Sequence, residues 1–502
     1  MINIGKKCLA ALLAASMVFG VTGCGRQKKA KKPYVQSTAE VKNGTAKAEG
    51  KGKQQSEVPL IIGCGRLDKN FNPFLAQAAS DEQVMNLTQT KLFDTDRAGR
   101  LVEKGIDGEL REYNDENYTY YGIADIKKAR RTKANYTVYR ITIRDDLLFS
   151  DGQPITIDDV IFSLYAFCDN DYDGNVQLKS SNIRGLLNYQ ANNAQAESYT
   201  DKQVKKYIRK KPAALQKWMQ KHSSDESGYE SALERQARYL MAKQAKKKTR
   251  VNSIEGIKRL NDYELRIYTT GYDSRFEEKL QIPICPLHYY GDTTKYSYNA
   301  NKFGFKRGDL SAIRANKSSP VGAGAYRFVK YDSGIAYFMA NELYYQGCPK
   351  ITYVQLKDLT KLFKDEDLTG AKIADEMKGQ TVDVASLALT QSDLEAIGEI
   401  NGNGKMSGNE INTCQSANAS YAYWGLNPYR VCINNEPFSE QSAALRHAIA
   451  MVVSACRGVQ METEGAKLTS VNAQAAKDSW LSPEQPNKDK LCYAETPDGK
   501  EQ

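Results

Sequence analysis

The run NYTVYRITIRDDLLFSDGQPITIDDVIFSLYAF, Asn135 to Phe167, constrains the fold more than any other part of the chain. Its first half alternates Tyr136, Val138, Ile141 and Ile143 with polar residues, the period of a strand. SDGQP then makes a turn. Ser150 and Asp151 accept local backbone hydrogen bonds, and Gly152 tolerates positive φ. Thr156 is placed to cap a helix, with Asp158 and Asp159 at the positive end of its dipole. The apolar run VIFSLYAF completes that helix. A strand, a tight turn and a capped helix in succession, with further strand-rich tracts downstream, indicate an α/β or α+β chain. The two aspartates have an architectural role before any catalytic one. As neighbours on one helix they do not face each other as an acid/base pair must.

The N-terminus sets the compartment. MINIGKK is basic, CLAALLAASMVFGV is an apolar stretch of 14 residues, and VTGC ends at Cys24. Fourteen residues are short for a membrane span, and the pattern is that of a secretory signal. The residues before Cys24 resemble the lipobox of bacterial lipoproteins, which implies lipidation of Cys24 after removal of residues 1–23. Two or more acyl chains anchor stably, at roughly 0.8 kcal/mol per buried methylene. Residues 24–57 have almost no large apolar side chains and are expected to form a disordered, lysine-rich tether.

The net charge is +10, unevenly spread. Residues 175–250 hold 17 Lys/Arg against six Asp/Glu, and the body outside this stretch, the signal and the tether is acidic. The global charge therefore gives no indication of nucleic acid. Within residues 175–250, the spacing of Val204, Tyr207 and Ile208, then Leu215, Trp218 and Met219, predicts two or three amphipathic helices with basic outer faces. A solvated face is the ordinary meaning of such charge; a docking surface is the sharper one.

Eight cysteines besides Cys8 and Cys24 show no CxxC spacing. Cys168 and Cys285 stand in apolar runs that suit buried free thiols. His222, His288 and His447 lack ligand spacing with any cysteine, which argues against zinc. His288 and His447 lie beside apolar residues, as core or interface histidines do. EINGNGKMSGNE places Glu399, Asn401, Asn403 and Glu410 at positions 1, 3, 5 and 12 of a calcium-loop pattern, but a glycine–asparagine surface turn is the favoured reading. No metal and no cofactor is expected. No GxSxG, HExxH or phosphate-binding loop occurs, and no enzyme is indicated.

Four segments in order resemble the family 5 extracellular solute-binding proteins, the peptide, nickel and oligosaccharide receptors of ABC importers. They are YTVYRITIRDDLLFSDGQPITIDDVIFSL, SPVGAGAYRFVKY, NELYYQGCPKITYVQLKDL, and WGLN followed by ALRHAIAMVVS. Ala323 and Ala325 depart from the glycine-loop pattern, and Ser454 and Cys456 stand where the family's helix ends in Asp-Arg. The resemblance implies a bilobal, periplasmic-binding-protein-like α/β fold of class II with an extra inserted domain and an incomplete C-terminal lobe. Residues 58–95 and 270–385 would form lobe I, 96–269 an inserted smaller domain that includes the basic helices of 175–250, and 386–502 a partial lobe II. It implies a monomeric receptor, anchored by lipid to the extracytoplasmic face of the cell membrane, that delivers peptides or another small solute to ABC permease subunits. Carried over by position, Asn72, Pro73 and Phe74 line the cleft, and Tyr423, Trp424, Gly425 and Asn427 contact ligand. The alternative is a non-transport surface lipoprotein that keeps the receptor scaffold for structural or adhesive binding.

Overall fold

In the computed structural model, which describes residues 58–113, 115–222, 228–361, 363, 369–386, 391–414 and 425–463, Tyr136–Ile143 is a central strand. It lies between Ala124–Arg131 and Glu264–Thr270, and Ile257–Asn261 closes the far edge, all antiparallel. The face turned to the core carries Thr137, Tyr139, Ile141 and Ile143. Tyr136 and Val138 lie half-buried on the other face, where the ring of Tyr136 meets that of Tyr268 at 6.0 Å. The expected set of Tyr136, Val138, Ile141 and Ile143 mixes the two faces. Strict period-two alternation puts Tyr139, not Val138, beside Ile141.

The turn and helix form as the sequence predicts. Gly152 has φ 85°, and Gln153 N–H donates to the Asp151 carboxylate at 3.1 Å. Helix Ile157–Phe167 begins with a reciprocal cap. Thr156 Oγ1 accepts from Asp158 N–H, and the Asp159 carboxylate accepts from Thr156 N–H at 3.0 Å. Every helix residue but Asp158 is buried. Each large apolar side chain hidden this way contributes about 1.5–3 kcal/mol. The second Asp159 oxygen accepts Leu287 N–H at 3.0 Å, and Ser163 Oγ accepts Cys285 N–H at 3.0 Å. The helix is therefore fastened to the Pro-punctuated segment of residues 282–290 as well as packed against it.

A second sheet runs Tyr326–Asp332, Ile335–Ala340, Tyr353–Asp358, Leu60–Cys64. The first three strands are antiparallel, and Leu60–Cys64 joins parallel to Tyr353–Asp358. The fold is thus mixed α/β. Residues 58–94 and 101–362 make up one compact unit, which holds the first sheet and these four strands of the second.

Within it, residues 195–248 leave and return through a narrow neck. Ala194 N–H donates to Thr249 C=O at 3.0 Å, and Val251 N–H to the Asn192 side chain at 3.2 Å. Beyond the neck, helices Asp201–Arg209, Ala213–Met219 and Tyr229–Gln244 share a small core of Val204, Leu215, Tyr229, Leu233 and Ala237. Tyr207, Ile208, Trp218 and Met219 pack against it, so all six predicted apolar positions converge. Two polar latches hold these helices down. Arg235 donates to Lys179 C=O at 2.9 Å and to the Gln190 side chain at 2.7 Å. Asn193 donates to Ala242 C=O at 2.9 Å.

Thr95–Arg100 and residues 363–463 belong to a second compact unit. Helices Gly370–Lys378 and Gln391–Ile400 meet there over Ala374, Ile397 and Ile411. Helix Glu440–Thr463 starts where the sequence places it, with Ser439 Oγ accepting Ser442 N–H at 3.2 Å.

Candidate functional site

Three of the four signature segments meet at one node. Ser150 N–H, in the SDG turn, donates to Gly322 C=O at 2.8 Å. Gly324 N–H donates to Thr88 C=O at 2.9 Å, where helix Ala79–Thr88 ends, and Thr90 Oγ1 donates to Ala323 C=O at 2.7 Å. Asn341, which opens the NELYY segment, donates its side-chain amide to Gly324 C=O and its backbone N–H to Ala325 C=O, both at 2.9 Å. The glycines are required by this approach. A Cβ on Gly322 would lie 2.3 Å from Thr88 O, and one on Gly324 2.5 Å from Leu87 O. The signature residues therefore build scaffold.

The loop after the first strand is fixed as firmly. The Asp358 carboxylate accepts Leu67 N–H at 3.2 Å, and Asp81 accepts Asp68 and Asn70 N–H, each at 3.1 Å. Burial pushes the Asp81 carboxyl upward, partly offset by those amides. Asn72 is fully buried. Its amide donates to Ile313 C=O at 2.7 Å and Asn316 C=O at 2.9 Å, while its oxygen accepts Phe74 N–H at 2.9 Å. Phe71 packs on Phe328 and Tyr331 of the second sheet, at 5.6 and 5.8 Å between ring centroids. Phe74 packs on Phe162 and Phe167 of the capped helix at 5.9 and 4.8 Å. Two phenylalanines three residues apart thus pin the loop into both layers, with Pro73 half-buried between Asn72 and Phe74. Asn72 and Phe74 present no free polar atom or open ring face here.

The sequence matches the model of the bacterial extracellular solute-binding proteins, family 5 Middle, over residues 126–454. The chain belongs to this family. Its members are binding proteins rather than enzymes. Among solved structures, AppA from Bacillus subtilis in complex with a nonapeptide is 15% identical, covers 69% of this chain and 47% of its own, and has a TM-score of 0.41. Lactococcal OppA with an endogenous peptide is 14% identical, with the same two coverages and TM-score 0.41. NikZ from Campylobacter jejuni with Ni(L-His) is 19% identical, covering 68% and 45%, with TM-score 0.37. The chain spans about half the length of these structures. No curated protein matches it.

Within this family 5 chain, Tyr423 and Trp424 lie outside the described residues, as do Cys24, the signal and the tether. Gly425 is exposed and Asn427 half-buried, its side chain accepting Tyr429 N–H at 2.9 Å. The calcium-like loop closes on itself. Asn401 accepts Ile411 N–H, Asn403 accepts Lys405 N–H, and Glu399 and Glu410 are exposed. Among the described residues no group of three His, Cys, Asp or Glu is placed to hold a metal ion. No helix among them is long and apolar enough to cross a membrane.

Several buried or paired ionisable groups serve the scaffold. Asp158 accepts from Arg259 at 2.8 Å and from Tyr296 Oη at 2.7 Å. Asp159 is pushed up by burial. Cys64, Cys168 and Cys285 are buried free thiols; burial pushes Cys64 and Cys168 to about 12, and Cys285 well above its ordinary value. His288 is exposed, not the core histidine its apolar neighbours suggest, and sits 2.7 Å from the Asp151 carboxylate, which raises its pKa. Sequence reading missed this pair because 137 residues separate its members.

Proposed function

We propose that this chain is the lipid-anchored, extracytoplasmic binding subunit of an ABC importer, and that it captures a peptide or related small solute for a membrane permease. The family match over residues 126–454 carries the reading. The lipobox-like VTGC and the lysine-rich tether support anchoring through Cys24. The ligand shifts the receptor to a closed state because it binds that state more tightly. Main-chain pairing and water-filled side-chain pockets give tolerance of peptide sequence. Tyr423, Trp424, Gly425 and Asn427 are the proposed ligand contacts; the loop of Asn72, Pro73 and Phe74 is proposed to brace the two layers of its own unit.

Native mass spectrometry of the purified full chain tests this. The expected result is a co-purified peptide or small solute, lost in Trp424→Ala, with Cys24→Ser releasing the protein from membranes. Absence of any bound solute, together with failure of a peptide library to alter the protein's melting, overturns it. The exposed cations of residues 195–248 favour the second reading, an adhesive surface lipoprotein. In that case anionic surfaces retain the protein and solutes do not.

A further inference from the structure

A pocket of about 290 Å³ opens between Arg250–Asn252 and the segment Lys295–Arg307. Arg250, Lys295, Lys302, Lys306 and Arg307 line it, and no carboxylate does. Ordinary protein surfaces intersperse charges of both signs. Five cations converging on one concavity repel one another unless an anion joins them.

The nearest carboxylates are accounted for. Asp292 pairs with Lys295 at 2.7 Å. Asp309 accepts from Ser311 and lies toward Lys306 without forming an ion pair. Asp169 accepts Gly308 N–H at 2.9 Å, behind Arg307. Among the described residues, Arg250, Lys302, Lys306 and Arg307 make no ion pair.

The pocket is also built rather than merely charged. Arg307 Nη1 donates to Val251 C=O at 2.5 Å and Tyr189 C=O at 3.1 Å, and its guanidinium lies 4.8 Å over the Tyr189 ring. That fixes a fork that matches a tetrahedral oxyanion. Lys302 stands on a short hairpin, Tyr296–Ser297 against Lys302–Phe303, whose Phe303 ring stacks on Tyr165 at 3.5 Å. The neighbouring aromatic surface of Phe303 and Phe305 leaves an apolar side for a carbon skeleton.

We propose that this pocket binds the phosphate group of an organic phosphate mono- or diester. The site lies wholly within the unit of the capped helix and does not rest on the solute-capture reading. Two sources supply such a group, a soluble phosphate ester or a lipid headgroup.

The test is calorimetric titration of the full chain with inorganic pyrophosphate and glycerol phosphate, beside sedimentation with phosphatidylglycerol or phosphatidylcholine vesicles. The variants are Lys302→Ala/Lys306→Ala, Arg250→Gln, and the control Lys202→Ala/Lys205→Ala, two exposed lysines on helix Asp201–Arg209. The basic tether is common to all, so a difference between pairs reports the pocket. Saturable pyrophosphate binding, weakened about tenfold by Lys302→Ala/Lys306→Ala, severalfold by Arg250→Gln and less than about twofold by the control, assigns a soluble phosphate. Retention on phosphatidylglycerol but not phosphatidylcholine, with the same variant pattern and no pyrophosphate binding, assigns a headgroup. No saturable binding to any probe, or equal loss in the two lysine pairs, overturns the site. Unchanged melting temperatures show that the variants are folded, and Arg250→Gln decides the matter if the double variant is not.

Discussion

Helix Ile157–Phe167 and the helices of residues 195–248 both hide apolar side chains, at opposite scales. The first is buried all round save for Asp158 and belongs to a core reaching across strand, turn and loop. Helix Asp201–Arg209, in the second group, buries Val204 alone and leaves most of its lysines in water. One region is held by apolar area. The other is held by a five-residue core, a small apolar seam of Ala196 and Ala242 against Leu187 and Ala191, and two polar latches. The difference teaches where stability resides: the large core carries the unit, and the basic helices ride on it as a separately opening part.

Substitutions can break that comparison. Phe162→Ala is expected to cost about 3–5 kcal/mol and to lower the main urea transition, because its fully buried ring leaves a cavity. Arg235→Met is expected to cost about 2–3 kcal/mol by stranding the Gln190 side-chain oxygen and leaving the Lys179 carbonyl only its bond from the Gln190 amide. Hydrogen exchange should then rise across residues 195–248 while Tyr136–Ile143 stays protected. Leu215→Ala is expected to cost about 2 kcal/mol, the low end for a buried leucine, since a small core collapses more readily. Should Leu215→Ala depress the main transition as far as Phe162→Ala, the two regions are one cooperative body and the comparison fails. Thr156→Ala, at about 1 kcal/mol, removes only the cap hydroxyl.

The smallest expected effect is the pH dependence of the Asp151–His288 pair. The hydrogen bond that His288 donates to the Asp151 carboxylate raises the His288 pKa, outweighing burial. Burial pushes Asp151 up, but its bond to His288 and the Gln153 amide leave it lowered overall. The histidine's contribution is complete below its unfolded value of about 6.5 and fades as pH rises through the raised folded value. The aspartate's is complete above about 3.9 and fades as pH falls through the lowered one. Stability from the pair is therefore greatest between about pH 4 and 6.5, and below about 1 kcal/mol for such part-exposed groups. Urea midpoints for the wild type and His288→Gln should converge as pH rises past that window. A constant gap up to pH 9 would show that the ion pair contributes nothing.

Local chemistry was legible in the sequence. The Gly152 turn, the Thr156 and Ser439 caps and the six apolar positions of the basic helices follow from rules acting over a few residues. The strand was legible too, though its face was not, because Tyr136 and Val138 look as apolar as Tyr139. What joins distant segments was not legible. Nothing near Ser150 announces Gly322, and nothing in Asn72 distinguishes a ligand contact from a bracket between Phe74 and Ile313. The cationic pocket was hidden for the same reason. Its walls come from three stretches, at Tyr189, Arg250–Asn252 and Lys295–Arg307, and only folding shows that their charges converge.

The neck at Ala194 and Thr249 has an engineering consequence. Two strands of backbone that already touch can be rejoined by a short loop, so the intervening segment behaves as a cassette. A reporter domain whose own termini lie close together could be spliced there, provided that Leu187, Ala191 and the Gln190 side chain, which the cassette covers, are made polar or given new partners.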